Sequence, residues 1–419
     1  MFSKKPAPEI LAITDAFPPL KGGGTAYAFN AILGMPFRVL VLCPFGSDRP
    51  GGSVHVKRVF YTNFQIHNRY LRKLYSVCLY LQLTLIPLFW AFRNWQHLKV
   101  VVCFQIIPAG IAGYLIHRFF RIPFVVVTYG EELTLALQKR ICGWHVHTWL
   151  WKLVLSKAAR IATMSSFTRT VLGRFDVDVR RVCLIPLGIQ GAYPVFPSDN
   201  ILRLLAEHGL ERARLILMVG RLIERKGFDN AIRAFSEIVV PGDRLHLLIV
   251  GAGEQEEFLK DLAKKITQPG QVVFLGSLAD DDVRYLYSIC EVFLLPVRSL
   301  DDGDTEGFGM VFIEAGIHGK PIVAGRAGGT PEAVVDGVTG LLVDGSSTDE
   351  IKDALLRVLN DRDLAARLGE EGRRRALEGF SIERQQERFN GMIREFMAPS
   401  PVAAQDRPAV IEEDVNAPR

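Results

Sequence analysis

The stretch VFLLPVRSLDDGDTEGFGMVFIEAGIHGKPIVA, residues 292–324, contains a complete strand–loop–helix–strand unit. It opens with the short apolar run 292–296, which predicts a buried strand. A glycine-containing loop follows, then a helical pattern over 308–318, and the apolar run 322–324 predicts the next strand. Neighbouring strands joined by a helix lie parallel, so this stretch predicts an α/β fold with a parallel sheet.

The same alternation of short apolar runs and helical patterns continues on both sides of this unit. Strands covered by helices on both faces are apolar throughout, so the pattern predicts two doubly wound, Rossmann-like domains facing each other across a cleft. The predicted strands are 10–14, 39–43, 100–105, 124–128, 160–163, 182–186, 215–219, 245–250, 272–275, 292–296, 322–324 and 340–343. The predicted helices are 25–34, 70–95, 109–120, 144–157, 166–174, 228–239, 254–265, 280–288, 308–318, 330–336, 348–359 and a long one at 361–396.

Turn-forming residues concentrate at 187–200, where we place the junction between the domains. The first domain is predicted to span 1–190 and the second 191–397, with the long last helix able to return to the first domain. Residues 398–419 are charged and rich in Pro and Ala, which predicts a disordered tail.

Composition excludes several classes of protein. The 419 residues predict two or three domains at about 150 residues each, and 49% hydrophobic with 23% charged residues is typical of globular proteins. The six cysteines form no C-x-x-C pair, which gives neither a zinc ligand spacing nor a disulfide framework and favours a reducing compartment. We expect no secretion signal, because the apolar stretch 10–13 is short and is followed by Asp15.

Charge divides the chain into two unlike halves. Residues 1–190 carry 23 Lys and Arg against 7 Asp and Glu, a net charge of +16, whereas residues 191–419 carry 27 against 38, a net charge of −11. All five tryptophans lie in the basic half, and tryptophan among cations favours an anionic membrane surface as a partner. A basic domain with buried tryptophans is the alternative. No nucleic-acid-binding module is recognisable, so we expect no nucleic-acid partner.

Residues 74–92 run for 19 residues without a charge, between Lys73 and Arg93. As a helix this segment would be about 28 Å long, close to the thickness of a bilayer core. Pro87 in its middle argues against a membrane span, and a span would also separate the loop at 22–24 from the strand at 100–105. We therefore expect a buried or half-inserted helix, with a membrane span as the less favoured alternative.

Three consecutive glycines, Gly22, Gly23 and Gly24, follow the first predicted strand and lead into a helix. Glycine lets backbone N–H groups approach an anion closely, and a helix N-terminus adds partial positive charge. The loop is therefore a candidate phosphate site, although a tight turn explains three glycines equally well.

Two cations lie near the start of the second domain. Arg221 follows the predicted strand 215–219, and Lys226 comes five residues later, just before a helix. Both side chains can project into the cleft, where two cations suit a diphosphate and can neutralise a leaving group. Surface cations paired with Glu224 are the alternative.

The most informative motif is DTEGFGMVFIEA, residues 304–315. Glu306 precedes the predicted helix and Glu314 lies about two turns along it, while Gly307, Phe308 and Gly309 leave the helix amides open to phosphate oxygens. Carboxylates on either side of a diphosphate can accept hydrogen bonds from sugar hydroxyls, so the motif predicts a nucleotide-sugar site. A helix-capping acid with an incidental exposed glutamate is the alternative.

With these motifs, the chain resembles the retaining glycosyltransferases of family four, whose two Rossmann-like domains form the GT-B fold. Glu306 and Glu314 match that family's paired-glutamate motif, and Arg221 and Lys226 match its diphosphate-binding pair. The glycine loop matches the family's N-terminal glycine loop. The segments AGGTPE at 327–332 and DGVTG at 336–340 extend the resemblance, which covers residues 9–395.

The resemblance implies a role for each matched residue. Glu306 would contact the hydroxyls of the donor sugar and Glu314 the ribose, while Arg221 and Lys226 would bind the diphosphate with help from the amides of 307–309. It also implies a nucleoside diphosphate sugar as co-substrate, no cofactor and no required metal ion. Retention would follow from front-face attack, with the acceptor hydroxyl entering on the side from which the diphosphate leaves.

One position departs from the family. Many members have a histidine in the loop after the fourth strand of the first domain, where this chain has Tyr129. A phenol can donate a hydrogen bond to a sugar hydroxyl but cannot be cationic. We therefore predict that Tyr129 contacts the donor sugar, with Glu131 or Glu132 as an alternative contact for the acceptor.

These observations predict a metal-independent, retaining hexosyltransferase acting on a glycan or lipid-linked acceptor. We expect it in the cytoplasm, in peripheral contact with the inner face of the cytoplasmic membrane. The alternatives are a nucleotide-sugar epimerase or hydrolase and a catalytically silent nucleotide-sugar-binding protein. His145 and His147 lie beside tryptophans, and we interpret them as interfacial or core residues rather than a metal site.

Overall fold

A computed structural model describes residues 7–15, 17–18, 23–43, 53–58, 69–130, 132–133, 146–191, 195–240 and 242–398. The first domain contains strands β1 (Ile10–Ile13), β2 (Val39–Cys43), β3 (Val54–Arg58), β4 (Val100–Cys103), β5 (Phe124–Thr128), β6 (Arg160–Thr163) and β7 (Val182–Leu184). The second contains β8 (Arg214–Val219), β9 (Leu245–Val250), β10 (Val272–Gly276), β11 (Val292–Leu295), β12 (Ile322–Gly325) and β13 (Leu341–Val343). Their orders are β3-β2-β1-β4-β5-β6-β7 and β10-β9-β8-β11-β12-β13.

Helices cover both sheets. Those in the first half are α1 (Gly23–Leu33), α2 (Arg69–Asn94), α3 (Ala109–Phe120), α4 (Val146–Lys157) and α5 (Ser166–Leu172). Those in the second half are α6 (Asp199–Glu207), α7 (Phe228–Ile238), α8 (Glu256–Ile266), α9 (Asp280–Ile289), α10 (Met310–Ile317), α11 (Thr330–Ala333), α12 (Thr348–Asn360), α13 (Arg362–Gly379) and α14 (Ile382–Arg394). The predicted fold class, two parallel-sheet Rossmann-like domains, is confirmed.

The central strands are apolar on both faces because each face supports a separate core. In β1, Leu11 and Ile13 pack into one hydrophobic cluster, whereas Ile10 and Ala12 pack into the cluster on the opposite side of the sheet. Successive side chains of a strand point to opposite faces, so a strand between two helical layers must be apolar at every position.

In both sheets the strand order reverses at an equivalent strand, β1 in the first domain and β8 in the second. β1 pairs in parallel with β2 on one side and β4 on the other, and β8 pairs in the same way with β9 and β11. Ligands of such sheets bind at the carboxyl ends of the strands beside this switch. The glycine loop follows β1 and the Arg221 loop follows β8, so both candidate loops start at a switch point.

The structure contains two elements that were not predicted, and one predicted helix is wrong. The strand β3 and the helix α6, which begins inside the proposed junction at 187–200, were not expected. The long helix predicted at 361–396 is two helices, α13 and α14, because Ser381 has extended backbone angles and caps α14 by accepting from the Arg384 N–H at 3.2 Å. Of the tail predicted at 398–419, residues 399–419 lie outside the described residues.

The break before α14 sends the chain back to the first domain. The Gln385 side chain donates to the Tyr27 carbonyl at 3.1 Å, and the Asn390 side chain donates to the Gly34 carbonyl at 2.7 Å. Phe389 is fully buried in the first domain, where its ring stacks on Phe104 with centroids 6.0 Å apart. Helix α14, the last helix among the described residues, therefore belongs to the core of the first domain.

The segment 74–92 lies within α2, which packs against α3. Within the part of the chain that the structure describes, no helix has the length and apolar character required to cross a membrane.

Candidate functional site

The loop after β8 places Lys226 at the mouth of the cleft. Residues Glu224–Lys226 form a single 3-10 turn, which ends at Gly227 with φ of 71°. A side chain at Gly227 would overlap the Pro296 carbonyl oxygen at the end of β11. This position therefore requires glycine on two counts, and the turn is held against the strand that leads into the 304–315 motif.

Lys226 and Glu306 are bonded to each other. The Lys226 ammonium donates to Glu306 Oε2, and only 11% of either side chain is exposed. Arg225 is also buried, with its guanidinium 3.2 Å from Asp304 Oδ1 and 3.8 Å from Glu306 Oε2. The structure thus brings together a predicted diphosphate ligand and a predicted sugar ligand, and surrounds the carboxylate with two cations.

These cations determine the protonation state of Glu306. Burial alone would raise its pKa, but Lys226 and Arg225, together with the Phe308 N–H, more than offset burial and hold the pKa below its ordinary value. Glu306 is therefore ionised at neutral pH and can accept hydrogen bonds from hydroxyl groups.

Residues 307–309 lead from Glu306 directly into α10. Gly309 has φ of 88° and directly precedes Met310, the first residue of the helix. The Phe308 side chain is buried against Phe380, with ring centroids 5.5 Å apart, so only its main chain faces the site. The unpaired amides at the N-terminus of an α-helix are suited to phosphate oxygens.

Glu314, the second glutamate of the motif, has different neighbours. Its Oε2 accepts a hydrogen bond from the Tyr287 hydroxyl at 3.1 Å, and the Tyr287 ring stacks on His318 with centroids 5.9 Å apart. Burial raises the pKa of Glu314. The bond to Tyr287 places Glu314 on the α9 side of α10, away from Lys226 and Arg225 around Glu306.

Sequence reasoning missed Arg225. The predicted pair was Arg221 and Lys226, but Arg221 is exposed, whereas Arg225 is buried beside Asp304 and Glu306. Asp304 could have indicated a further cation in the site. It is a second carboxylate two residues before Glu306, and two buried carboxylates need cations beside them.

The first domain contributes Tyr129 and the glycine loop. Gly22 lies outside the described residues, and Gly23 and Gly24 begin α1. The Tyr129 hydroxyl donates to the Gly24 carbonyl at 3.2 Å, and a side chain added at Gly307 would lie 3.0 Å from the Tyr129 carbonyl oxygen. Tyr129 is therefore wedged between the glycine loop and the Glu306 motif.

Glu132 lies close to these groups, and Glu131 lies outside the described residues. Burial, with a smaller contribution from the negative charge of Asp15, raises the pKa of Glu132 to about 7. Asp15 itself accepts a hydrogen bond from the Gln105 side chain at 2.6 Å. Among the described residues, no group of three or more His, Cys, Asp and Glu side chains is arranged to hold a metal ion.

Comparison with known proteins assigns the family. The model of glycosyl transferases group 1 matches residues 203–375, and that of the glycosyl transferase 4-like domain matches residues 28–188. A GDP-mannose-dependent alpha-(1-6)-phosphatidylinositol monomannoside mannosyltransferase of Mycolicibacterium smegmatis is 30% identical over 65% of this chain and 70% of that protein. The chain belongs to the group 1 glycosyltransferases. An enzyme of the same name from Mycobacterium tuberculosis is 40% identical over 51% of this chain, and the match spans 56% of that relative's length.

Solved structures show the same fold for this group 1 glycosyltransferase. Sucrose-phosphate synthase from Thermosynechococcus elongatus covers 93% of the chain with a TM-score of 0.73 and 20% sequence identity. Anabaena HepE in complex with UDP-glucose covers 92% with a TM-score of 0.69 and 19% identity. The GT-B arrangement of two Rossmann-like domains, expected from the resemblance, is confirmed.

Proposed function

We propose that this group 1 glycosyltransferase is a metal-independent, retaining enzyme that transfers a hexosyl group from a nucleoside diphosphate sugar to an acceptor hydroxyl. The observation that carries the proposal is the pairing of Lys226 with Glu306 beside the N-terminus of α10, which no side chain caps. An ammonium and helix amides suit a diphosphate, and an ionised carboxylate suits sugar hydroxyls. In the absence of donor these groups neutralise each other, and donor binding would replace that pair with two substrate contacts.

GDP-mannose is the first donor to test. The M. tuberculosis and M. smegmatis relatives are both named as GDP-mannose-dependent mannosyltransferases. The donor site lies in the second domain, where the family model covers 203–375 and includes Arg221, Lys226, Glu306 and Glu314.

We infer that the reaction proceeds at the front face of the sugar. The bond between the anomeric carbon and the phosphate oxygen breaks as the acceptor oxygen bonds to the same face of that carbon. The acceptor proton passes to the departing diphosphate, whose charge Arg221, Lys226 and the amides of 307–309 stabilise. Glu306 orients the sugar through its hydroxyls, and the Tyr129 main chain lies against Gly307 of the same motif.

We infer further that the acceptor is lipid-linked and that the first domain contacts an anionic membrane. Leu81, Leu85, Phe89 and Phe92 are between 54% and 67% exposed, and their spacings of four, four and three residues align them along one side of α2. Phe119 of α3 is also exposed, and residues 1–190 carry a net charge of +16. Apolar side chains on a basic domain suit the interface of an anionic leaflet. The phosphatidylinositol monomannoside named as a substrate of the relatives is a membrane lipid of this kind.

Thermal unfolding in the presence of a panel of nucleoside diphosphate sugars tests the donor site. GDP-mannose at one hundred times its Kd should stabilise the protein by about 2.7 kcal/mol, a shift of several degrees. The shift should disappear in Glu306→Ala and in Arg221→Ala, whose side chain is exposed and whose loss should leave folding intact. Glu350→Ala, a carboxylate that accepts the Asp344 N–H at 2.8 Å within the second domain, is the matched control.

Three outcomes would contradict the proposal. No shift with any donor would reject the donor site. Sugar released or epimerised without an acceptor would indicate a hydrolase or epimerase, and donor binding without turnover on any lipid or glycan acceptor would indicate a silent binding protein.

A further inference from the structure

The Glu306 loop is bonded to the first domain through Ser165. This serine is fully buried, and its hydroxyl donates to the Gly307 carbonyl at 2.7 Å. Ser165 is also the N-cap of α5, where its Oγ accepts from the Thr168 N–H at 3.1 Å. Because the single hydroxyl proton of Ser165 points to Gly307, the 2.8 Å contact between Ser165 Oγ and Thr168 Oγ1 uses the threonine proton.

A second contact joins the same two regions in the reverse direction. The carboxylate of Glu332, in α11 of the second domain, accepts the N–H groups of Ser166 at 2.6 Å and Phe167 at 2.8 Å. These are the first two amides of α5, which have no partner within the helix. Bonds from amides to a carboxylate are charge-assisted, and the helix dipole favours a negative charge at this end.

Glu332 and Glu306 are parts of one rigid unit. The Gly329 N–H donates to the Glu306 carbonyl at 2.8 Å, and side chains added at Gly328 or Gly329 would overlap the carbonyl oxygens of Glu306 and Gly307. The Arg375 side chain holds the Glu332 carbonyl from the other side at 2.6 Å. Any movement of Glu332 relative to the first domain therefore moves the carboxylate of Glu306 as well.

We propose that Ser165 and Glu332 form an interdomain clamp that keeps the cleft closed and positions Glu306 against the donor sugar. This inference rests on the proposed function, since it names the residues that hold its donor site in place. Both are positioning residues: Ser165 acts through the Gly307 carbonyl, and Glu332 acts through α5 and the Gly328–Gly329 turn. When the cleft opens, all three hydrogen bonds break together.

Paired variants separate positioning from simple stability. Ser165→Ala removes a helix cap together with the bond to Gly307. Its control is Ser347→Ala, which removes only the cap of α12, where Ser347 Oγ accepts from the Glu350 N–H at 3.2 Å.

Glu332→Gln removes a carboxylate that accepts backbone N–H groups across the cleft. Its control is Glu350→Gln, which removes a carboxylate that accepts a backbone N–H within one domain. Ser165→Thr keeps the hydroxyl and should restore the wild-type behaviour.

Two readouts are needed, the KM for GDP-mannose and the radius of gyration from small-angle X-ray scattering. The apparent affinity falls by the fraction of molecules that are closed, so Ser165→Ala and Glu332→Gln should raise KM about ten-fold and increase the radius of gyration. A structural role alone would lower the melting temperature to the same extent as in the controls and leave KM unchanged.

The clamp is rejected if both variants match their controls in KM and in radius of gyration. Small-angle scattering does not require catalytic turnover. It therefore tests the clamp independently of the proposed glycosyltransferase function. If the wild-type protein transfers no sugar, the proposed function fails while the radius of gyration still decides whether Ser165 and Glu332 hold the cleft closed.

Discussion

At Glu306, burial and charge act on one carboxyl group in opposite directions. Burial raises the pKa, and Lys226 with Arg225 lowers it by more, so the net shift is downward. A lowered folded-state pKa contributes stability above the pKa of the unfolded chain, and this contribution is lost as the pH falls through the folded-state value.

Lys226→Met should therefore destabilise the protein in a pH-dependent way. Removing one partner of a buried ion pair costs about 3 kcal/mol at pH 7.5, because Glu306 is left ionised with Arg225 3.8 Å away. The deficit should be smaller at pH 4, because loss of Lys226 removes one of the charges that lower the pKa of Glu306 and so favours its protonated form. Urea unfolding at the two pH values measures it, and Lys226→Met combined with Glu306→Gln should recover most of the loss at pH 7.5. An equal deficit at both pH values would show that the loss of stability does not come from the charge of Glu306.

Tyr129 makes a separate prediction. Tyr129→Phe removes the hydrogen bond to the Gly24 carbonyl, worth about 1 kcal/mol, and should lower kcat/KM about five-fold if that bond positions the glycine loop. Tyr129→His restores the ring nitrogen that many family members have at this position. Steady-state kinetics with GDP-mannose measure both variants, and unchanged rates in both would remove Tyr129 from the site.

Among the elements, α2 has a side that the rest of the described molecule leaves uncovered. The double variant Leu85→Ser and Phe89→Ser should lose binding to vesicles that contain anionic lipid, because both side chains are more than half exposed and their burial drives insertion. Flotation through a density gradient measures binding. The control is Phe258→Ser, an aromatic residue that is 51% exposed on α8 of the acidic second domain.

Salt gives a second check on this surface. Wild-type binding should weaken between 0.1 and 0.5 M salt, since attraction between the basic first domain and anionic lipid is screened over roughly 10 Å at the lower concentration. Absence of the wild-type protein from anionic vesicles at every salt concentration would rule out membrane contact.

In the whole molecule, α14 makes the first domain depend on the end of the chain. Phe389→Ala should lower the free energy of unfolding by about 3 to 5 kcal/mol, because the ring is fully buried between Phe104 and Tyr27. Phe258→Ala, at an exposed position, should change it by less than about 0.5 kcal/mol. Equal unfolding free energies for the two variants would show that α14 does not stabilise the first domain.

The sequence by itself was enough to predict the alternating strands and helices, the two domains and the loops that start at the switch points. These features depend on local patterns. Apolar runs such as those of β2 and β9 predict strands without any information about the neighbouring strands. Glycines just before a predicted helix likewise indicate a loop at the end of a strand. That Lys226 and the Glu306 motif lie close together could be predicted from the sequence, because both follow central strands of one parallel sheet.

Only the tertiary structure decided which partner each side chain has. It placed Arg225 beside Glu306 and left Arg221 exposed, turned Glu314 toward Tyr287, and joined Ser165 to a carbonyl 142 positions along the chain. It also ended α13 at Gly379, so that α14 could cross to the first domain. Local patterns specify which face of an element is apolar, but contacts between distant residues depend on how two sheets and their helices pack, and that packing has no periodic signal in the sequence.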